Sequence, residues 1–373
     1  MGNKKIGILT FHRATNYGAI LQAYGLVSYL NSQGYDAKII DYKPKGMANT
    51  YSFFHLQSLT PKRILVFFYV NLMRLLEFPK KCKKRKMFWN YIEKTLPMTE
   101  KVIEEQDLPS LDAIFVGSDQ IWSTCFTGGL DKFYYGQFNR KGAKLISYAG
   151  SAAEDMENSF YSTNNALLLE SFDAISVRED ELQEYLQDKI PKKEIVKVLD
   201  PTLMAGAEFF ENMINGVRPY NKPYILIYQV IRKQDSLIQE YAKQKAKELN
   251  CDIIEIKDSK MYVNKGNRYV ENGMVDPTLF VALYKYASHI ITTSFHGTAF
   301  SLMFNRPFDV VSVSPEVDSR AKDLLHQVGL DARMILLPSK VTNLDIDWAM
   351  VNDMIIDIQR PSRAFIFNSL QNL

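Results

Sequence analysis

Apolar residues along this chain fall into short β-branched runs. Each run breaks into a polar or glycine-bearing loop and then into a longer stretch with helical spacing. Residues 5–10 form the first run. It ends in His12-Arg13-Ala14-Thr15-Asn16, and a helix is predicted from Tyr17 to about residue 33, where Gly34 stops it. Residues 37–40 read as a second strand. The chain therefore opens as a strand–helix–strand unit, which predicts a mostly parallel sheet covered by helices. Further runs at 112–116, 144–149, 174–177 and 195–199 end in Gly117-Ser118-Asp119-Gln120, Gly150-Ser151, Arg178-Glu179-Asp180 and Asp200-Pro201-Thr202. After the third of these a helix continues to about residue 187.

The pattern breaks between residues 212 and 223, at Asn215-Gly216, Pro219 and Asn221-Lys222-Pro223. A second series then begins, with strands at 224–230, 252–256, 289–293 and 307–313. Helices are expected at 234–249, from Asp276-Pro277 to about 287, at 297–304 and at 321–327. Residues 346–358 are amphipathic, Arg360-Pro361-Ser362 interrupts them, and 364–370 resume the pattern. The expected fold class is α/β, with two Rossmann-like domains facing a cleft. Residues 1–215 form the first, with a basic helical insertion at about 60–95, and residues 224–340 form the second. Residues 341–373 are closing helices that pack back on the first. In such sheets ligands sit beyond the carboxyl ends of the strands, so the strand-end loops are the places to look for chemistry.

Length and composition agree with this layout. The chain has 373 residues, 46% hydrophobic and 23% charged, enough for two buried cores. A net charge of only +3 argues against nucleic acid as the main partner. Cys82, Cys125 and Cys251 are far apart and odd in number, which suggests neither a zinc site nor a disulfide framework and fits a reducing cytoplasm. Ile6 fails the sixth-position requirement of a myristoylation signal. The run at 6–11 is a strand rather than a signal peptide, and the longest apolar stretch, 64–70, is too short to span a bilayer.

Several strand ends carry groups suited to anions or proton transfer. In Thr293-Ser294-Phe295-His296-Gly297-Thr298 a strand runs into a helix, whose first N–H groups and dipole favour an anion. Gly297 would allow close approach, and His296 could donate a proton near neutral pH or be a satisfied helix-start histidine. Arg178 suits a phosphate or carboxylate, because its fork reaches two oxygens at once, or it pairs with Glu179, Asp180 or Glu181. Arg320 is a second candidate cation, or an exposed helix-start arginine. Asp119 could act as acid or base or hold a sugar hydroxyl, and otherwise caps a helix. Trp122 offers either a sugar-stacking face or core packing. Asn16, Tyr17 and Gly18 form a small-residue loop without the dinucleotide fingerprint. Lys80, Lys81, Lys83, Lys84, Arg85 and Lys86 form a basic block that could sit on an anionic bilayer surface or belong to a solvated helix of a helical hairpin.

Taken in order, these loops resemble the polysaccharide pyruvyl transferase family over nearly the whole chain. The likeness is carried by Thr15-Asn16-Tyr17-Gly18-Ala19-Ile20-Leu21-Gln22, Val116-Gly117-Ser118-Asp119-Gln120-Ile121-Trp122, Ser147-Tyr148-Ala149, Ser176-Val177-Arg178-Glu179, Leu199-Asp200-Pro201-Thr202 and Ser294-Phe295-His296-Gly297. The resemblance implies a glycosyltransferase-B-like fold. It also implies transfer of pyruvate from phosphoenolpyruvate to sugar hydroxyls as a ketal, in cytoplasmic assembly of a bacterial surface polysaccharide. Phosphoenolpyruvate is then a co-substrate, with no resident cofactor and no metal at the chemical step. The acceptor is a sugar or lipid-linked saccharide. One departure stands out: where family members have Arg-x-His-Gly, this chain has Ser294 at the arginine position, so the cation must come from elsewhere, and Arg320 is the candidate. Two other readings remain open, a nucleotide-sugar glycosyltransferase on the same architecture and a non-catalytic binder of glycan precursors.

Overall fold

The structure is a computed structural model that describes residues 3–44, 64–152, 159–162, 164–265, 268–339, 345–371 and 373. Its first sheet is built from β1 (Lys5–Leu9), β2 (Asp36–Tyr42), β3 (Met98–Val102), β4 (Ala113–Val116), β5 (Lys144–Gly150), β6 (Ala174–Val177) and β7 (Ile195–Lys197), all parallel, in the order β3-β2-β1-β4-β5-β6-β7. Strands covered by helices on both faces need apolar side chains on both. That is why β1 and β4 read as nearly continuous apolar runs and, like β5, are almost wholly buried. The helices labelled around this sheet are α1 (Tyr17–Ser32), α2 (Ile64–Thr95), α3 (Asp180–Lys189), α4 (Pro201–Ala205) and α5 (Ala207–Ile214).

The second sheet has the order β11-β10-β9-β8-β12-β13-β14. Its strands are β8 (Tyr224–Tyr228), β9 (Asp252–Lys257), β10 (Lys260–Lys265), β11 (Arg268–Met274), β12 (His289–Thr292), β13 (Phe308–Val311) and β14 (Met334–Ile335). Its helices are α6 (Asp235–Leu249), α7 (Pro277–Lys285), α8 (Phe295–Met303) and α9 (Pro315–Gln327), and α10 (Trp348–Leu370) closes the chain. Strand β10 runs antiparallel to both of its neighbours, β9 and β11, and the other pairs are parallel. The architecture is α/β, two Rossmann-like sheets with their carboxyl ends turned toward one joint, a glycosyltransferase-B-like plan.

One apolar core runs through both halves. It holds Ile8, Leu26 and Phe115 together with Leu226, Phe280 and Phe300. Helix α1 lies at the centre of this continuity. Tyr17 stacks on Phe280 with ring centroids 4.1 Å apart and donates its hydroxyl to the carbonyl of Val275 at 2.7 Å.

Four features differ from the sequence reading. Strand β3 and the β10–β11 hairpin are edge elements with mixed polar faces, so their apolar alternation is too weak to announce a strand. Residues 201–214 form α4 and α5, with Pro201 pre-set at the first turn of α4. The C-terminal segment is a single helix that keeps Pro361 inside it. An interior proline normally breaks a helix. Here contacts to the first half hold the turn on either side: Gln359 donates to the carbonyl of Leu203 at 2.6 Å, and Arg363 to that of Met204 at 3.1 Å. Finally, the basic block lies within one 32-residue helix, α2, which includes Pro79 and leads directly into β3 instead of pairing in a helical hairpin. Lys80, Lys81, Lys83, Arg85 and Lys86 are exposed, while Lys84 is covered and lies 5.9 Å from the Phe88 ring centroid. Among the described residues no helix is long and apolar enough to cross a membrane.

Candidate active site

The loops after β6 and β7 and the start of α8 bring three titratable groups together. Arg178 leaves the end of β6, where its residue is 6% exposed. Its Nη1 donates to Oδ2 of Asp200 at 2.6 Å, and its Nε lies 3.5 Å from Oε1 of Glu179. Its Nε and Nη2 have no hydrogen-bond partner among the described residues. A buried guanidinium with idle donors is costly unless something else receives them. Burial works against its charge, but Asp200 and Glu179 raise its pKa further and keep it cationic.

Asp200 caps α4. Its Oδ1 accepts from the amide of Thr202 at 2.9 Å and from the Thr202 hydroxyl at 2.6 Å. Burial alone would raise its pKa. The charges of His296 and Arg178, with the Thr202 hydrogen bonds, hold it below the ordinary carboxylate value instead. Opposite, His296 sits in the first turn of α8, its side chain 16% exposed, with Nε2 3.7 Å from Oδ2 of Asp200. Nε2 is enclosed and makes no hydrogen bond. Burial lowers the imidazole pKa, Asp200 opposes that, and Arg178 adds to it.

Gly18 meets the same ring from the first half of the molecule. A Cβ placed on it would lie 2.3 Å from Nδ1 and Cε1 of His296. The glycine therefore exists to admit the histidine across the joint. Arg320, in α9, lies with its guanidinium carbon 5.7 Å from the Phe295 ring centroid, and Arg178 lies at the same distance from that ring. Burial and the neighbouring Arg178 lower the Arg320 pKa, so two cations are held close beside one aromatic ring. Asp119 is near enough for its carboxylate to act on Arg178, His296 and Arg320. A cavity of about 380 Å³ is lined by Arg178, Asp200, Phe295 and Arg320, together with Ile358 and Pro361 of α10. His296 and Asp119 lie outside that lining.

Other sequence candidates have different work. Ser294 is the N-cap of α8 and accepts from the amide of Gly297 at 3.3 Å, while Thr298 donates to the carbonyl of Ser294. The helix-start donor expected to help an anion is thus already in use. Gly297 is small because Thr292 Oγ1 and the Tyr284 hydroxyl would meet a Cβ at 2.3 and 2.8 Å, so the neighbour is protein and not ligand. Tyr17 is core. Asn16 is exposed and caps α1, accepting from the amide of Gly18 at 2.8 Å. Trp122 offers no sugar-stacking face: it is fully buried, parallel to Phe160 at 5.9 Å, and donates its indole N–H to the carbonyl of Tyr134 at 2.9 Å. Asp200 and Glu179 are the site residues that sequence reasoning missed. The run Asp200-Pro201-Thr202 carries the signature of a helix cap, which hides the second role of the same carboxylate. Among the described residues no three His, Cys, Asp or Glu side chains are grouped to hold a metal ion.

Fold and site together define an α/β protein of two facing Rossmann-like units, with a histidine and two arginines gathered at their joint. The family model of polysaccharide pyruvyl transferase matches residues 16–315, and the chain belongs to that family. Among solved structures, the chain is similar to UDP-GlcNAc 2-epimerase from Methanocaldococcus jannaschii at 12% identity and a TM-score of 0.47, over 94% of this chain and 92% of that one. UDP-N-acetylglucosamine 2-epimerase from Rickettsia bellii matches at 11% identity and a TM-score of 0.45, over 100% and 99%. The glycosyltransferase SnogD from Streptomyces nogalater matches at 11% identity and a TM-score of 0.36, over 98% of each chain. No curated protein matches the chain.

Proposed function

We propose that this protein transfers pyruvate from phosphoenolpyruvate to two hydroxyls of a sugar or lipid-linked saccharide, forming a cyclic ketal in the cytoplasmic assembly of a surface polysaccharide. The observation that carries the reading is the pair of arginines gathered at Phe295, each with its guanidinium carbon 5.7 Å from the ring centroid. Arg178 has two idle donors, and Arg320 makes no ion pair among the described residues. Phosphoenolpyruvate brings a phosphate and a carboxylate, one for each cation. Arg320 then supplies the charge that Ser294 does not.

The chemistry follows from the groups around this pair. His296 gives a proton to the methylene carbon of the donor, which leaves C2 oxocarbenium-like. One sugar hydroxyl adds to C2 and loses its proton, for which Asp119 is the base. The C2–O bond to phosphate then breaks, phosphate departs with the electron pair, and the second hydroxyl closes the ketal and loses its proton in turn. Positioned acid–base groups of this kind contribute about 10²–10⁴-fold each.

Calorimetry tests the donor assignment. Phosphoenolpyruvate is expected to bind, and UDP- and GDP-sugars are not. Arg320→Ala should weaken binding about 10–100-fold, the worth of roughly 1.5–3 kcal/mol for a hydrogen bond to a charged group. Because burial holds the free imidazole below its ordinary pKa and a bound anion raises it, binding should take up a proton at pH values between the two. Affinity should therefore fall as pH rises through the bound-state value. Heats that are identical in buffers of different ionisation enthalpy would remove His296 from the donor site, and unchanged affinity in Arg320→Ala would remove Arg320. Tight binding of a UDP- or GDP-sugar in place of phosphoenolpyruvate would favour the glycosyltransferase reading. Donor binding with no phosphate release would favour a non-catalytic binder, the reading that Ser294 raises.

A further inference from the structure

Within the reading just given, one carboxylate has more partners than a helix cap needs. Asp200 is 1% exposed, and its two oxygens are divided between two tasks. Oδ1 is fixed by the amide and hydroxyl of Thr202. Oδ2 faces outward from that clamp, 2.6 Å from Nη1 of Arg178 and 3.7 Å from Nε2 of His296. The residue before it is pinned from both sides. The amide of Leu199 donates to the Ser362 hydroxyl at 2.8 Å, and the Tyr148 hydroxyl donates to the Leu199 carbonyl at 3.1 Å. A buried carboxylate held this rigidly costs desolvation that a surface cap would avoid.

The two rings of contact around His296 are unequal. Nε2 is enclosed and lies 3.7 Å from Oδ2 of Asp200, while Nδ1 stands beside Gly18 at the joint. The charged groups facing the imidazole are Asp200 before α4, Arg178 after β6, Asp119 after β4 and Arg320 in α9. Among the described residues Asp200 is the charged group within ion-pair distance of it.

We propose that Asp200 is the positioning residue of the site: its Oδ2 orients His296 through Nε2–H and Arg178 through Nη1, leaving Nδ1 and the idle guanidinium N–H groups for substrate. The second ring nitrogen of a catalytic histidine sets which tautomer is present and which nitrogen reacts. A carboxylate on Nε2 fixes the proton there in the neutral ring. Nδ1 is then the nitrogen that exchanges a proton with the donor, and the 3.7 Å separation shortens once the anion fills the site.

The test is heteronuclear NMR of histidine-labelled full-length protein, assigned with a His296 variant. The neutral wild-type ring is expected as the Nε2–H tautomer. In Asp200→Asn the titration midpoint of His296 should move down and the two tautomers mix, while phosphate release from phosphoenolpyruvate falls ~10²-fold or more. An Nδ1–H tautomer in the wild type overturns the proposal, and so does an unmoved midpoint and tautomer in folded Asp200→Asn. If Asp200→Asn fails to fold, the wild-type tautomer decides. If the wild type releases no phosphate, the pyruvyl-transfer reading fails, whereas the NMR result still judges Asp200.

Discussion

At the scale of single residues, Gly18 and His296 share one volume across the joint. The contact gives a prediction with an unusual sign. Ala in place of Gly at a helix position ordinarily stabilises by about 1 kcal/mol. Here Gly18→Ala must displace the His296 ring, which a Cβ would meet at 2.3 Å. It should therefore destabilise, by about 1–3 kcal/mol as in other overpacked interiors. Turnover should fall as the ring leaves Asp200. A denaturation midpoint equal to or above that of the wild type would show that the ring has room to spare. This contact was not legible in the chain, because Gly18 and His296 are far apart in sequence and nothing local links them. Arg178, Asp119 and His296 could be picked out as candidates because each follows a strand end that hydrophobic patterning locates, whereas Arg320, expected to open a helix, lies within α9. Trp122 misled for the opposite reason: an aromatic after a strand end reads alike whether its face meets a sugar or Phe160, and only burial separates the two.

At the scale of elements, α10 is a clamp. It crosses from the second half to the first, and its Ser362 hydroxyl receives the Leu199 amide next to Asp200. Ser362→Ala leaves that buried amide without an acceptor, so we expect a loss of about 1–3 kcal/mol in chemical denaturation, with activity reduced at temperatures where the fold is intact. A stability change within the scatter of surface substitutions would mean that α10 lies beside the loop without holding it. Strands inside the sheets were plain from their apolar runs. The edge strands β3 and β11, and β10 next to β11, were not, because a half-exposed strand dilutes the alternation on which the reading depends. The continuity of α10 through Pro361 was also hidden, since the bonds that support it reach Leu203 and Met204, residues distant in the chain.

At the scale of the whole molecule, two sheets share one core and place their strand ends around one site, while a basic helix projects charge elsewhere. Lys80, Lys81, Lys83, Arg85 and Lys86 are exposed on α2. Each such residue is worth about 1 kcal/mol near an anionic bilayer. We propose that α2 seats the protein beside lipid-linked acceptors. Sedimentation with vesicles should show binding when anionic lipid is present and release at high salt, and replacing these residues with Gln should abolish it. Equal recovery with neutral and anionic vesicles would count against the surface contact while leaving the chemistry untouched. The chemistry itself is tested most directly by following phosphate release from phosphoenolpyruvate with a panel of lipid-linked saccharides, wild type beside His296→Ala. Acceptor-dependent release is expected from the wild type, and a rate lower by about 10²-fold or more from the variant. Equal rates in the two proteins, or no release by the wild type with any acceptor, would contradict it.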